Sequence, residues 1–286
     1  MRLLQPHYPV APMCRVFEVS RSGYHAFLSR APSKRTQDNA RLEVAILAAH
    51  VRTRESYGPE RLQDELRDDG FNAGVGRIQR LRQKLGLRCK QVRKFKATTN
   101  SNHDLPVAPN LLNQKFDTTR PNETWVTDIT YVPTAEGWLY LSGVKDLHTR
   151  ELVGHAMGAR MTKDLVGRAL VKAVCAKRPT PGLVHHSDRG SQYCSQDYRN
   201  LLQHFGMKAS MSRKGNCYDN APMESFWGTL KNELVHHRRY ETRAQAIVEI
   251  TEYIEIFYNR QRRHSRLGNL SPAAFTQRFY RQQQAA

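Results

Sequence analysis

The chain is short of acid. Its 286 residues hold 26 Asp and Glu against 45 Lys and Arg, a formal net charge of +19, so its surface repels cationic partners and draws polyanions. Cysteine is also scarce: the five are odd in number and scattered, with no Cys-x-x-Cys pair, which excludes a disulfide framework. His185, His186, Cys194 and Cys217 lack paired ligand spacing, so no zinc site is expected. Long apolar runs are missing, and nothing approaches the ~20 residues of a membrane span. The first residues offer only Leu3-Leu4 before Gln5-Pro6-His7, too little for a signal-peptide core, so a cytoplasmic location is expected.

What is present is charge laid out in blocks. Residues 1–120 carry 22 Lys and Arg against 11 Asp and Glu, residues 121–235 carry 14 against 11, and residues 236–286 carry 9 against 4. A nearly balanced middle between two cationic arms suits a cleft held between segments that neutralise phosphates. The length allows about two domains on a prior of ~150 residues each. The expected organisation is a helical region over 1–99, a linker over 100–120, an α/β core over 121–235 and a basic helical extension over 236–286.

Periodicity fills in that frame. Residues 13–29 read as two short helices around Val19-Ser20, with Ser20 as a cap; Arg35 to Arg54 reads as one helix with Leu42, Ala45, Ile46 and Ala49 on its buried stripe. Pro59 opens another, which breaks at Asp69-Gly70, and Val75 to Leu85 resumes. In this last helix Ile78, Leu81 and Leu85 share one face, while Arg77, Arg80, Lys84 and Arg88 share another. No acid occurs from Gly70 to Asn102, and Lys90, Arg93, Lys94 and Lys96 continue the basic run. A helix-turn-helix entering a DNA groove, followed by a basic strap on the backbone, accounts for the pattern.

Beyond the linker, strand patterns run over Thr124 to Val132, Trp138 to Asp146 and Leu152 to Met157, then a helix from Thr162 to Ala176 and a short strand, Leu183 to His186. A helix from Asp197 to Phe205, a strand from Lys208 to Met211 and a helix from Ala221 to Leu234 follow. Three hairpin-linked strands, a crossover helix and a fourth strand describe a mixed α/β sheet.

Carboxylates stand out in so basic a chain. Asp128 lies in a strand otherwise suited to burial, Asp188 ends the fourth strand, and Glu224, separated from it by thirty-five residues, is on a helix whose Phe226, Trp227 and Leu230 can pack inward. Acidic groups repel DNA phosphates unless a metal lies between them, so the three form a candidate site for two divalent ions against a phosphodiester. Lys231, two turns along the face of Glu224, can touch DNA beside them. Each carboxylate has a plainer reading, a turn cap or a solvated side chain, and spacing alone leaves Asp146 and Asp219 open as competitors.

Trp125-Val-Thr-Asp-Ile-Thr-Tyr131, Trp138 to Asp146, His186-Ser-Asp-Arg-Gly-Ser-Gln-Tyr193, Ser212 to Lys231 and Tyr258 to Phe275 together resemble insertion-sequence transposases of the IS3 family, specifically the second-frame product, OrfB. The similarity runs from about Val10 to Phe275. It implies a ribonuclease-H-like core of the retroviral-integrase type behind an all-α helix-turn-helix region. It also implies Mg²⁺-dependent 3′-end nicking and strand transfer, with Asp128, Asp188 and Glu224 as ligands of two Mg²⁺ ions that Mn²⁺ can replace. Lys231 would contact terminal DNA, and Asp146 and Asp219 would be structural. Implied partners are the element's terminal inverted repeats, target DNA, an upstream-frame OrfA product or fusion, and further copies of the chain on nucleoid DNA. Two other readings of the residues are a DNA-binding regulator with a silent core and a nuclease that hydrolyses without joining.

Overall fold

The computed structural model describes residues 1–90, 106–213 and 217–284. Helices α1 (Val10–Val16) and α2 (Arg21–Ser29) flank Val19-Ser20, and Ser20 Oγ accepts the Gly23 N–H at 3.0 Å, occupying a donor that the first turn leaves unpaired. Helices α3 (Lys34–Arg52), α4 (Pro59–Asp68) and α5 (Val75–Lys84) follow. Leu42, Ile46 and Ala49 of α3 meet Leu62, Leu66, Ile78 and Leu81 in one buried cluster, so the stripes set by the 3.6-residue period face one another.

The second part is a sheet. Strands β1 (Thr124–Thr134), β2 (Gly137–Asp146) and β3 (Leu152–Gly158) form an antiparallel meander. Helix α6 (Lys163–Lys177) carries the chain over to β4 (Val184–Ser187), and α7 (Ser191–Cys194) and α8 (Gln196–His204) lead to β5 (Lys208–Met211). The order is β3-β2-β1-β4-β5, with β4 parallel to β1 and β5 parallel to β4. This is the mixed, ribonuclease-H-like sheet expected from the sequence. Helix α9 (Ala221–Glu233) then crosses the sheet. Next, α10 (Arg243–Glu252) runs on in wider π-type turns through Tyr253–Gln261, before α11 (Pro272–Gln284).

Strand alternation sorts the side chains into two layers. Trp125 and Val144 face Val166, Ala169 and Leu170 of α6 and Tyr198 and Leu202 of α8. Gly154 lets α6 lie directly on β3, because a Cβ there would stand 2.4 Å from the Ala169 carbonyl oxygen. On the other face Val126, Leu139 and Leu141 pack with Met223, Phe226 and Leu230 of α9, and Ala246, Ile250, Tyr253 and Phe257 join the same cluster. The basic extension over 236–286 therefore shares a core with the sheet. Among the described residues no helix is long and apolar enough to cross a membrane.

Candidate active site

Register brings the first two carboxylates together. The parallel ladder pairs Val126 with His186, and Asp128, within β1, and Asp188, just past the end of β4, each lie two residues further on, so both project on the same face of the sheet. Asp188 Oδ1 accepts the Gly190 N–H at 2.9 Å, so the turn that was its plainer reading is what aims it. Helix α9 supplies the third. Trp227, one turn past Glu224, donates its indole Nε1–H to Asp128 Oδ2 at 3.1 Å, and Asn220 at the helix entrance donates from Nδ2 to the Thr127 carbonyl at 3.0 Å. Gly143 makes this approach possible: it pairs with Asp128 across β1 and β2, and a Cβ there would lie 2.9 Å from the Trp227 ring.

The electrostatics follow from that gathering. Burial, then the charge of Asp188 and to a smaller degree Glu224, push the Asp128 carboxyl up to about 8, against the pull of the Ile129 and Trp227 N–H groups. Desolvation also raises Glu224. Lys231 is buried, with Nζ 5.0 Å from the Tyr131 ring centroid; desolvation lowers its pKa while Asp128 works the other way. Among the described residues no cation forms an ion pair with Asp128 or Glu224.

Three hard oxygen donors that repel one another are a donor set suited to a divalent cation, which would relieve the repulsion. As the side chains stand, no group of three His, Cys, Asp or Glu among the described residues is close enough to hold an ion outright. The Trp227 indole holds one Asp128 oxygen and the Ile129 N–H the other. The residues fit a metal by their chemistry, but holding one requires the carboxylates to come closer together.

The competing acids have other work. Asp146 is fully buried and accepts N–H groups from Asn122 and Thr149, both at 2.7 Å, which fixes the turn after β2. Asp219 is fully buried and accepts from Arg213, Asn110 and Gln114, and the Arg213 guanidinium holds its carboxyl well below the usual range. Of the expected DNA contacts, Arg77 bonds Asn39 at 2.9 Å, Lys84 pairs with Glu43 at 2.6 Å and Lys90 with Glu55 at 3.5 Å, so these cations also tie α5 to α3 and its exit to the turn that follows α3. Arg80 and Arg88 are exposed, while Arg93, Lys94 and Lys96 lie outside the described residues. Trp227, Asn220 and Gly143 were not read from sequence as site residues. The one local clue was an indole one helical turn from Glu224.

The chain is similar to known families and proteins over most of its length. The HTH-like domain family matches residues 36–95, and two families described as Integrase core domain match residues 118–217 and 205–272. The chain is 63% identical over 268 residues to the uncharacterized 31 kDa protein of insertion element IS600 from Shigella sonnei, covering 94% of this chain and 98% of that one. It is 42% identical over 273 residues to transposase InsF of insertion sequence IS3A from Escherichia coli K12, covering 95% of each. A simian T-cell lymphotropic virus intasome chain superposes with a TM-score of 0.48 at 16% identity, covering 75% of this chain and 70% of that one. With the helix-turn-helix-like region, the integrase core and these relatives accounted for over nearly the whole length, the chain belongs to the IS3 family of insertion-sequence transposases.

Proposed function

We propose that Asp128, Asp188 and Glu224 hold two divalent ions, Mg²⁺ in the cell with Mn²⁺ as a substitute, and that the site they form cuts the 3′ ends of an insertion element and joins them to target DNA. The observation that supports this best is the shared register and face of Asp128 and Asp188 beside the helix of Glu224, with Asp128 raised to about 8 by burial and its neighbours. Bound there, the ions would activate the attacking oxygen and neutralise charge on the leaving oxygen of an in-line displacement.

The chain's own residues position and orient. Trp227 and the Ile129 N–H orient the Asp128 carboxylate, the indole at Oδ2 and the amide at Oδ1. Lys231, half a helix from Glu224 and steadied over Tyr131, is placed to meet a DNA phosphate beside the triad. No protein nucleophile is needed, since water can open the first phosphodiester and the freed 3′-hydroxyl can attack the second at the same site. Handling two DNA ends asks for more than one copy of the chain, and recognition of the terminal inverted repeats draws on the upstream-frame OrfA product or a fusion with it. A cytoplasmic protein on nucleoid DNA follows from this reading.

The test is direct. Asp188→Asn and Glu224→Gln are each expected to cut nicking and strand joining by about 100- to 1,000-fold, the range of removing a principal electrostatic catalyst, while duplex binding measured in EDTA stays within about twofold. Strand joining by either variant at near wild-type rate would remove that residue from the site.

A further inference from the structure

Behind the catalytic helix lies a second charged feature. A cavity of about 430 Å³ is walled by Arg61 from α4, Lys145 from β2, Arg150 from the β2–β3 turn, and Arg262, His264 and Arg266 from the segment after the π-type helix. No Asp or Glu lines it. Arg262 pairs with Glu233 at 2.8 Å, but among the described residues Arg61, Lys145, Arg150 and Arg266 make no ion pair. His264 Nε2 is buried there without a hydrogen-bond partner. Hydroxyls of Ser225, Thr229 and Ser265 complete the wall.

Such a cluster works against the fold. Burial together with Arg150, Arg262 and Arg266 pushes the Lys145 ammonium down to about 7, burial and Arg266 lower Arg150, and burial and Arg262 lower Arg61. Like charges facing one concave space are tolerated where an anion fills it. Guanidinium forks and hydroxyls around an ammonium match the tetrahedral oxygens of a phosphate.

Helix geometry says which phosphate. Glu224 and Lys231 share one face of α9, while Pro222, Ser225, Phe226 and Thr229, which line the cavity, fall about 100° per residue round to the opposite face. The cavity is thus separated from the triad by the breadth of a helix, roughly 10 Å. A phosphate held there is not the one being cut.

We propose that this cavity binds a backbone phosphate of a DNA segment other than the strand presented to Asp128, Asp188 and Glu224. The inference rests on the transposase reading for its choice of DNA. It joins the helical region, the sheet and the C-terminal arm around one ligand, since each contributes at least one cation.

The test uses the full-length protein, duplex DNA carrying element ends, and EDTA to prevent chemistry. The double substitution Arg150→Gln with Arg266→Gln is expected to weaken DNA binding about tenfold at fixed salt. It should also reduce the slope of log affinity against log salt by about 0.9, the loss of one phosphate contact. Arg150→Lys with Arg266→Lys should retain the slope. The unliganded Gln variant should melt at or above the wild-type temperature, because repulsion has been relieved; a lower melting point accompanied by weaker binding would mark a structural role and overturn the proposal. Unchanged affinity and slope would overturn it too. Inorganic phosphate at matched ionic strength is expected not to raise the melting temperature; if it does so in wild type alone, with DNA binding unaffected, the cavity serves a free anion and the DNA assignment falls. Should wild type bind but never join ends while the Gln variant still loses slope, the catalytic reading fails and the cavity stands.

Discussion

In the proposed site, Asp128 answers to two opposed demands, ionisation for a metal and stability for the fold. Its folded pKa, about 8, lies far above the unfolded value of about 4, so ionisation in the folded state costs stability. That cost begins as pH rises past about 4 and is complete above about 8. Metal-free Asp128→Asn is therefore expected to be more stable than wild type at pH 9 by about 1 kcal/mol or more, with the difference vanishing near pH 4 in thermal melts. By the same linkage a divalent ion must displace a proton below pH 8, so its affinity, followed by calorimetry, should climb between pH 6 and 8 and then level off. Trp227→Phe keeps the ring packing and removes the donor to Asp128 Oδ2. Losing a bond that favours the carboxylate shifts that metal-affinity curve to higher pH; a curve that stays in place would show that the indole does not orient the acid.

At the scale of elements, the tie between α9 and the π-type helix is the most exposed to damage. Glu233 accepts from Arg262 Nη2 at 2.8 Å and from the Tyr253 hydroxyl at 2.7 Å, and both ends of the ion pair are under a tenth accessible. Glu233→Gln leaves a buried guanidinium uncompensated and should cost about 3–5 kcal/mol, read as a fall in denaturation midpoint. Replacing Glu233 and Arg262 together with Leu and Met should cost clearly less. Asn259 makes a similar join, exchanging bonds of 3.0 and 3.1 Å with the Leu152 backbone as a neighbouring strand would. These elements also show what the chain reveals before it is folded. The stripes of α3 and α5 and the strands β1 to β5 were legible because periodicity is local. The carboxylates stood out as candidates because one interrupts a strand suited to burial, one follows a short strand and one is on a helix with a clear apolar face. The stack of Asp128, Gly143 and Trp227 was not, since it depends on cross-strand register. The face of α5 was read as cations turned to DNA, yet Arg77 and Lys84 reach α3, where Asn39 and Glu43 lie about forty positions away in the chain. The short helix α7 gave no periodic signal at all.

For the whole molecule, the C-terminal arm is structural as well as basic. Ala246, Ile250, Tyr253 and Phe257 complete the cluster beneath β1 and β2. A chain ending after Val235 should therefore lose cooperative unfolding and bind a hydrophobic dye, and a sharp melt from that fragment would contradict the shared core. The same arm meets the helical region through polar contacts: Arg263 pairs with Glu65 at 2.5 Å and with Asp68, Arg54 with Glu252 at 2.5 Å, and Asn269 bonds Asp64 at 2.8 Å. The parallel pairing of β1 with β4 has a consequence in time. The β1–β2 and β2–β3 hairpins close over short loops, whereas β4 reaches β1 only after α6 has been made and folded back, and loops of that length close late. On the proposed reading of the site, a chain still leaving the ribosome would hold Asp128 in a finished hairpin and yet have no assembled centre until β4 and α9 are in place.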